Sequence, residues 1–229
     1  AQMQQLKDAG ITVISMQDLL AWKRGEKNIP PRCAVITFDD GWKSQYDVGW
    51  PILKKFGYPF TMFIYTEGVR GGSLGGGEAI TWEQLADMRD NGVDIQAHSA
   101  THQDLREGRN IMLVTGGKRT KTKLTGSEYE QWVQNEVVGS KQLLEQPLGI
   151  KVNCFAVPFG NYNEHVKEIA GDDVAVDAER DDEHGEHTIQ RRETHDPSSV
   201  RLSRDEPVTG DATWHHRCHG RGLLPPTKS

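Results

Sequence analysis

Apolar and polar positions along residues 1–170 follow two rhythms that take turns. Short, nearly continuous apolar runs lie at 11–14, 33–38, 60–65, 93–97 and 152–157, and runs of that length and density predict strands covered on both faces. Between them the spacing turns helical. A first helix is expected over 2–9, closed by Gly10, and a second over 17–24 with Leu19, Leu20 and Trp22 facing a core. A third is expected over 44–56, and a fourth is opened by Thr81 with Gln84 three places on and runs to Arg89. Ser127 and Glu130 open a fifth, whose apolar face is Tyr129, Trp132, Val133, Val137, Leu143 and Leu144. Gly71, Gly72, Gly75, Gly76 and Gly77 predict a surface loop, because no phosphate-loop lysine follows them, and the polar, basic stretch 106–125 reads as an inserted loop. Repeated strand-loop-helix units predict an α/β fold, a parallel sheet or barrel, with active residues just beyond the carboxyl ends of strands.

Past Gly171 the pattern stops. Residues 171–229 hold one aromatic residue, Trp214, and six of the nine histidines, and their cations are seven Arg to one Lys, against seven Arg and twelve Lys before. Such a stretch has little with which to build a core. Two explanations are open: a solvated tail, or a coding sequence that has left its original frame. The expected organisation is a catalytic domain over 1–170 and a polar His/Arg-rich tail over 171–229. A length of 229 residues suits one domain, and a net charge of -6 argues against a phosphate-backbone partner, so nucleic acid is not expected. No apolar run reaches the roughly 18 residues a membrane helix needs, and the stretch Ala1 to Gly10 lacks a signal-peptide pattern. Cys33, Cys154 and Cys218 suggest neither a zinc knuckle nor a disulfide framework.

Candidate chemistry sits at the strand ends. Thr37-Phe38-Asp39-Asp40-Gly41 puts two carboxylates side by side after an apolar run. Taken alone they fit a solvated loop start equally well; if buried, they repel, and a cation that takes one as ligand leaves the other as a base. His98 and His102, four residues apart, can present two imidazoles on one side of a turn. With a strand-end aspartate they make a His₂-Asp set, three protein ligands that leave positions open for water and substrate. A denser cluster, His215-His216-Arg217-Cys218-His219, has no framing strand and reads as adventitious.

In order and spacing, 37–41, 98–102 and 155–160 resemble the first three motifs of the polysaccharide deacetylases, the NodB-homology domain of carbohydrate esterase family 4. Segments 51–57, 81–85 and 103–105 agree with it, and the resemblance covers 2–170. It implies a distorted (β/α) barrel and metal-dependent removal of N-acetyl groups from GlcNAc-containing polysaccharide: exopolysaccharide, chitin-like polymer or peptidoglycan. Carried over by resemblance, Asp40, His98 and His102 hold one divalent metal, with zinc expected and cobalt, nickel or manganese as alternatives. Asp39 is the general base, and the backbone N–H of Phe159 is the oxyanion donor, with Pro158 setting the chain direction. Trp82, Phe159 and Gly160 are expected at the substrate.

Two departures matter. Ala156 stands where many members carry an arginine that orients the aspartate, a version that resembles the branch acting on poly-N-acetylglucosamine. No late Leu-x-His motif supplies the general acid, residues 1–36 hold no histidine, and His195 lies in polar surroundings. The barrel is therefore expected to be incomplete at its C-terminal end and low in stability. The alternatives are a deacetylase-like domain that binds metal and glycan with little turnover, and a hydrolase of small amides or esters. Location outside the cytoplasm follows from the resemblance alone.

Overall fold

The computed structural model describes residues 2–74 and 76–171, and the backbone of 174–175 and 214–219. Its elements begin with α1 (Gln2–Asp8), β1 (Thr12–Val13), α2 (Met16–Lys23) and β2 (Arg32–Asp40). A π-helical turn, Gln45–Gly49, runs into α3 (Trp50–Phe56), followed by β3 (Thr61–Ile64), α4 (Thr66–Gly71), the short pair β4 (Ser73–Leu74) and β5 (Gly77–Glu78), and α5 (Trp82–Asp90). Then come β6 (Asp94–Ala97), a hairpin of β7 (Asn110–Thr115) and β8 (Lys118–Lys123), and α6 (Gly126–Gln134). A second π turn, Asn135–Gly139, leads into α7 (Ser140–Leu148), and β9 (Phe155–Ala156), α8 (Glu164–Ala170), β10 (Val174–Ala175) and β11 (Trp214–His219) complete the order.

Strands β1, β2, β3, β6, β9 and β10 lie side by side in that order, every neighbouring pair parallel. This is the pairing expected when each strand returns through a helix. The apolar run 33–38 is buried throughout, and its alternation sends Ile36 and Phe38 into the main core but Cys33 and Val35 into a second cluster under α2. Strand β9 divides in the same way, Phe155 to the first cluster and Ala156 to the second. A strand buried on both faces has no polar alternation, which is why the run read as continuous.

Several sequence expectations change in detail. The stretch 106–125 contains the antiparallel hairpin β7–β8, turned by Gly116 and Gly117, both at positive φ (58° and 77°) as a two-residue hairpin turn requires. The glycine-rich stretch 71–77 pairs as β4–β5, and Gly77 is needed there because a Cβ would come within 2.3 Å of the Trp42 ring. The helix expected over 44–56 widens into its π turn just before Pro51, which has no N–H for an α-type bond. Of the run 152–157, only Phe155–Ala156 pairs. The stretch 214–219, read without a strand, has its backbone antiparallel along β2, Trp214 opposite Thr37 and His219 opposite Arg32. The capping box at Thr81 and Gln84 is present as expected.

Candidate metal centre

Strands β2 and β6 are both aligned on β3, with Asp40 opposite Ile64 and Ile64 opposite Ala97. The carboxyl ends of β2 and β6 therefore come level, and Asp40 meets the residue after Ala97, His98, across the sheet. Ligand atoms of Asp40, His98 and His102 all lie within 4.8 Å of one another. Asp40 Oδ1 is 3.7 Å from His98 Nε2 and 3.2 Å from His102 Nε2. The other Asp40 oxygen accepts from Trp42 Nε1 at 3.1 Å.

This donor set fits a divalent cation. His98 Nδ1 lies 2.9 Å from the Ala156 carbonyl, an oxygen that can only accept, so Nδ1 carries the proton and the lone pair of Nε2 is on the Asp40 side. Burial first, and then His98, hold His102 down to about 4, so its imidazole is neutral at pH 7. Asp40 Oδ1 is buried with no hydrogen-bond donor. The buried Asp40 oxygen thus faces two imidazole nitrogens and has no hydrogen-bond donor, a costly arrangement unless a cation is shared. His₂-carboxylate with open positions is the ligand set of catalytic zinc and related ions.

Backbone strain collects at the same place. Among the described residues, the non-glycine residues at positive φ are Asp40 (74°), Ser99 (67°), His102 (51°) and Phe159 (60°). Each costs of the order of 1 kcal/mol and persists only where surroundings hold it. Around Asp40 the turn closes through Gly41 N–H to Asp39 O at 3.0 Å, and Gln45 donates to the same carbonyl at 2.6 Å. The histidine loop is held by Ser99 Oγ, which accepts from His102 N–H at 3.0 Å, and by the amides of Thr66 and Glu67, which donate to Ser99 O and Ala100 O.

One brace escaped the sequence reading. Glu136 is buried, and its carboxylate accepts from Ala100 N–H at 3.1 Å, Thr101 N–H at 2.8 Å and Thr101 Oγ1 at 2.6 Å. Burial raises its pKa, and the Thr101 and Ala100 bonds oppose that rise. The π turn Asn135–Gly139 places Glu136 beside Val137 on the buried side of the helix, and a charge within that apolar stripe was the signal available in the sequence.

Asp39 precedes this cluster. Burial and the neighbouring Asp40 charge raise its pKa to about 7, so near neutrality it takes up and gives back a proton readily. Phe159, 46% exposed, sets its ring edge-on to His102 with centroids 4.7 Å apart. Its turn is closed by the amides of Gly160 and Asn161, bonding Val157 O and Pro158 O, so neither closing bond uses the Phe159 N–H. Pro158 is buried and Gly160 continues the turn at φ 64°. Trp82 is half-buried at the start of α5, packed against the main core. Tyr65, which was not singled out from sequence, places its ring 5.6 Å from that of His102. His195 and the side chains of His215, His216, Cys218 and His219 lie outside the described residues.

Residues 26–173 match the family model described as polysaccharide deacetylase. Over 170 residues the chain is 28% identical to a Bacillus subtilis (strain 168) protein named as a polysaccharide deacetylase, covering 74% of this chain and 52% of that protein. It is 23% identical over 151 residues to a poly-beta-1,6-N-acetyl-D-glucosamine N-deacetylase of Staphylococcus epidermidis, covering 66% and 52%. The chain spans about half the length of these curated relatives. Among solved structures, the deacetylase domain of BpsB from Bordetella bronchiseptica superposes with a TM-score of 0.60 at 22% identity, covering 74% of this chain and 71% of that one. IcaB from Ammonifex degensii superposes at 0.59 and 24%, covering 73% and 68%. These likenesses show the fold, the distorted (β/α) barrel of such domains.

Proposed function

Because this chain belongs to the polysaccharide deacetylase family, we propose that it is a metal-dependent hydrolase that removes N-acetyl groups from a GlcNAc-containing polysaccharide outside the cytoplasm. The observation that carries this reading is the convergence of Asp40, His98 and His102 around a buried carboxylate oxygen with no donor, next to an aspartate whose pKa is raised to about 7. Asp40 Oδ1, His98 Nε2 and His102 Nε2 would hold the ion, zinc first, with cobalt, nickel or manganese as alternatives. When bound, it supplies Lewis acidity that polarises the amide carbonyl and makes water a better nucleophile.

The protein's own groups do the rest. Asp39 takes the proton as water attacks the acetyl carbon. The Phe159 N–H donates to the oxygen that becomes negative, a task for a fixed backbone donor. The leaving amine needs a proton, and among the described residues the histidine outside the metal set, His165, is paired with Glu130 at 2.7 Å. Asp39, having taken a proton from water, is proposed to return it to the amine. Exposed Phe159 and the half-buried Gly160 and Trp82 are proposed to contact sugar. Poly-N-acetylglucosamine is the favoured polymer, supported by the Staphylococcus epidermidis relative and by Ala156 in the third motif. Among the described residues no helix is long and apolar enough to cross a membrane.

Acetate release from N-acetylglucosamine oligomers by protein reloaded with each metal tests the reading. Asp39→Asn should keep metal and lower turnover by about 10²–10⁴-fold. Stoichiometric metal with no acetate under any ion overturns the hydrolase and favours the second reading, a glycan-binding domain with little turnover.

A further inference from the structure

Hairpin β7–β8 carries a surface that the hydrolytic site does not explain. In its register Met112 lies opposite Lys121, Val114 opposite Arg119, and Asn110 opposite Lys123. Strand alternation puts these residues on one face and Ile111 and Leu113 on the other, where they pack against the main core. The outer face therefore presents three cations spaced about 7 Å apart along one strand, next to Met112 and Val114 at 41% and 64% exposure. No ion pair to Arg119, Lys121 or Lys123 is found among the described residues, in a chain whose net charge is -6.

The hairpin is tied to the metal loop. Gln103, next to the ligand His102, donates through Nε2 to Met112 O at 3.0 Å and to Thr101 Oγ1 at 2.9 Å, while its Oε1 accepts from Met112 N–H. Arg119 is near enough to Tyr65 to oppose the rise that burial gives its phenol, and the Tyr65 ring is beside that of His102. The β7 edge of the hairpin is thus bonded to the residue that follows a ligand of the metal site.

We propose that the outer face of β7–β8 binds anionic groups of the polysaccharide, so that the chain selects GlcNAc polymers bearing carboxylate or phosphate over neutral ones. This rests on the deacetylase reading above and adds to the poly-N-acetylglucosamine favoured there anionic substituents, which the unsubstituted polymer lacks. Arg119, Lys121 and Lys123 meet the anions, and Met112 and Val114 offer apolar surface to the CH faces of sugar rings. Continuity with the metal loop favours a glycan over a lipid surface.

The test is equilibrium binding to the full chain of three labelled probes: chitin hexamer, hyaluronan oligomers carrying a carboxylate on alternate sugars, and a phosphodiester-linked GlcNAc oligomer. At about 0.1 M salt one or both anionic probes should bind about tenfold tighter than chitin hexamer, and the preference should collapse at about 1 M salt. Which anionic probe wins identifies the anion. The triple variant Arg119→Glu, Lys121→Glu, Lys123→Glu should invert the preference, and the neutral Lys121→Gln, Lys123→Gln variant should reduce it. Equal binding of all probes, an unchanged preference in both variants, or capture by phosphatidylglycerol vesicles but by no oligomer overturns the proposal. Acetate release measured in parallel separates the two ideas: charge-selective binding without acetate sinks the hydrolase alone, and acetate without charge selectivity sinks this proposal alone.

Discussion

Replacing Glu136 by Gln removes a charge while keeping the shape, and so separates what this carboxylate does for the histidine loop from what it does for the fold. Glu136 accepts three hydrogen bonds, from Ala100 N–H, Thr101 N–H and Thr101 Oγ1. Hydrogen bonds to a charged acceptor contribute about 1.5–3 kcal/mol against about 0.5–1.5 for a neutral one, so the substitution weakens the brace by roughly 1 kcal/mol per bond. Relief of charge burial works the other way. Because burial raises the folded pKa of Glu136 above its ordinary 4.5, its ionisation favours the unfolded chain: stability is greatest below 4.5 and declines as pH rises from there toward the folded pKa. Gln removes that decline. The two effects oppose each other, so at pH 7 the metal-free variant should lose less than the roughly 3 kcal/mol that weakening three bonds alone would take, about 1 kcal/mol being worth 2–4 °C in a chain this size. Metal affinity should suffer more. Groups that orient ligands change affinity by about 10–100-fold, or about 1.4–2.7 kcal/mol, and here the brace holds a loop with Ser99 and His102 at positive φ. The assay is competition with a chromophoric chelator beside thermal melts from pH 4 to 8. Unchanged affinity in a folded Gln variant would refute the positioning role. Glu136→Ala strands two amides at about 1–3 kcal/mol each and leaves a cavity, so it should reduce soluble yield as well.

Gly77→Ala should act on the metal site from a distance: its Cβ would overlap the Trp42 ring, whose Nε1 donates to Asp40 Oδ2 at 3.1 Å. The expected outcome is about 1–3 kcal/mol of lost stability in denaturant melts together with weaker metal binding; an unaltered melt would show that the hairpin moves aside freely. Phe159→Ala keeps the backbone donor and removes a ring that packs edge-on to His102. Turnover number on short oligomers should stay within a few-fold while KM rises, and a hundredfold drop in turnover number with KM unchanged would mean that the ring, not the N–H, serves the reaction.

Local features were legible in the chain. Burial of 33–38 on both faces made a continuous apolar run, Thr81 and Gln84 declared a helix start, and the tandem aspartates and paired histidines stood at strand ends where a parallel fold collects its chemistry. The hairpin at 110–123 was missed because its polar, basic β8 lacks an alternating pattern, although Gly116-Gly117 marked its turn. The residues that support the centre were less visible, since each acts across the fold. Glu136 reaches Thr101 from 35 positions away, and Ala156 O sets the tautomer of His98 from 58.

The sequence by itself determined which residues could ligate and which segments could be strands, because ligand chemistry and apolar periodicity belong to single residues and their near neighbours. Only the tertiary structure decided that Asp40 Oδ1 is buried without a donor, that Asp39 titrates near 7, that backbone strain gathers at the same four residues, and that a cationic hairpin is tied to the histidine loop. Desolvation, convergence and strain depend on which distant atoms exclude water and hold the chain, and those atoms meet only when the parallel strands align.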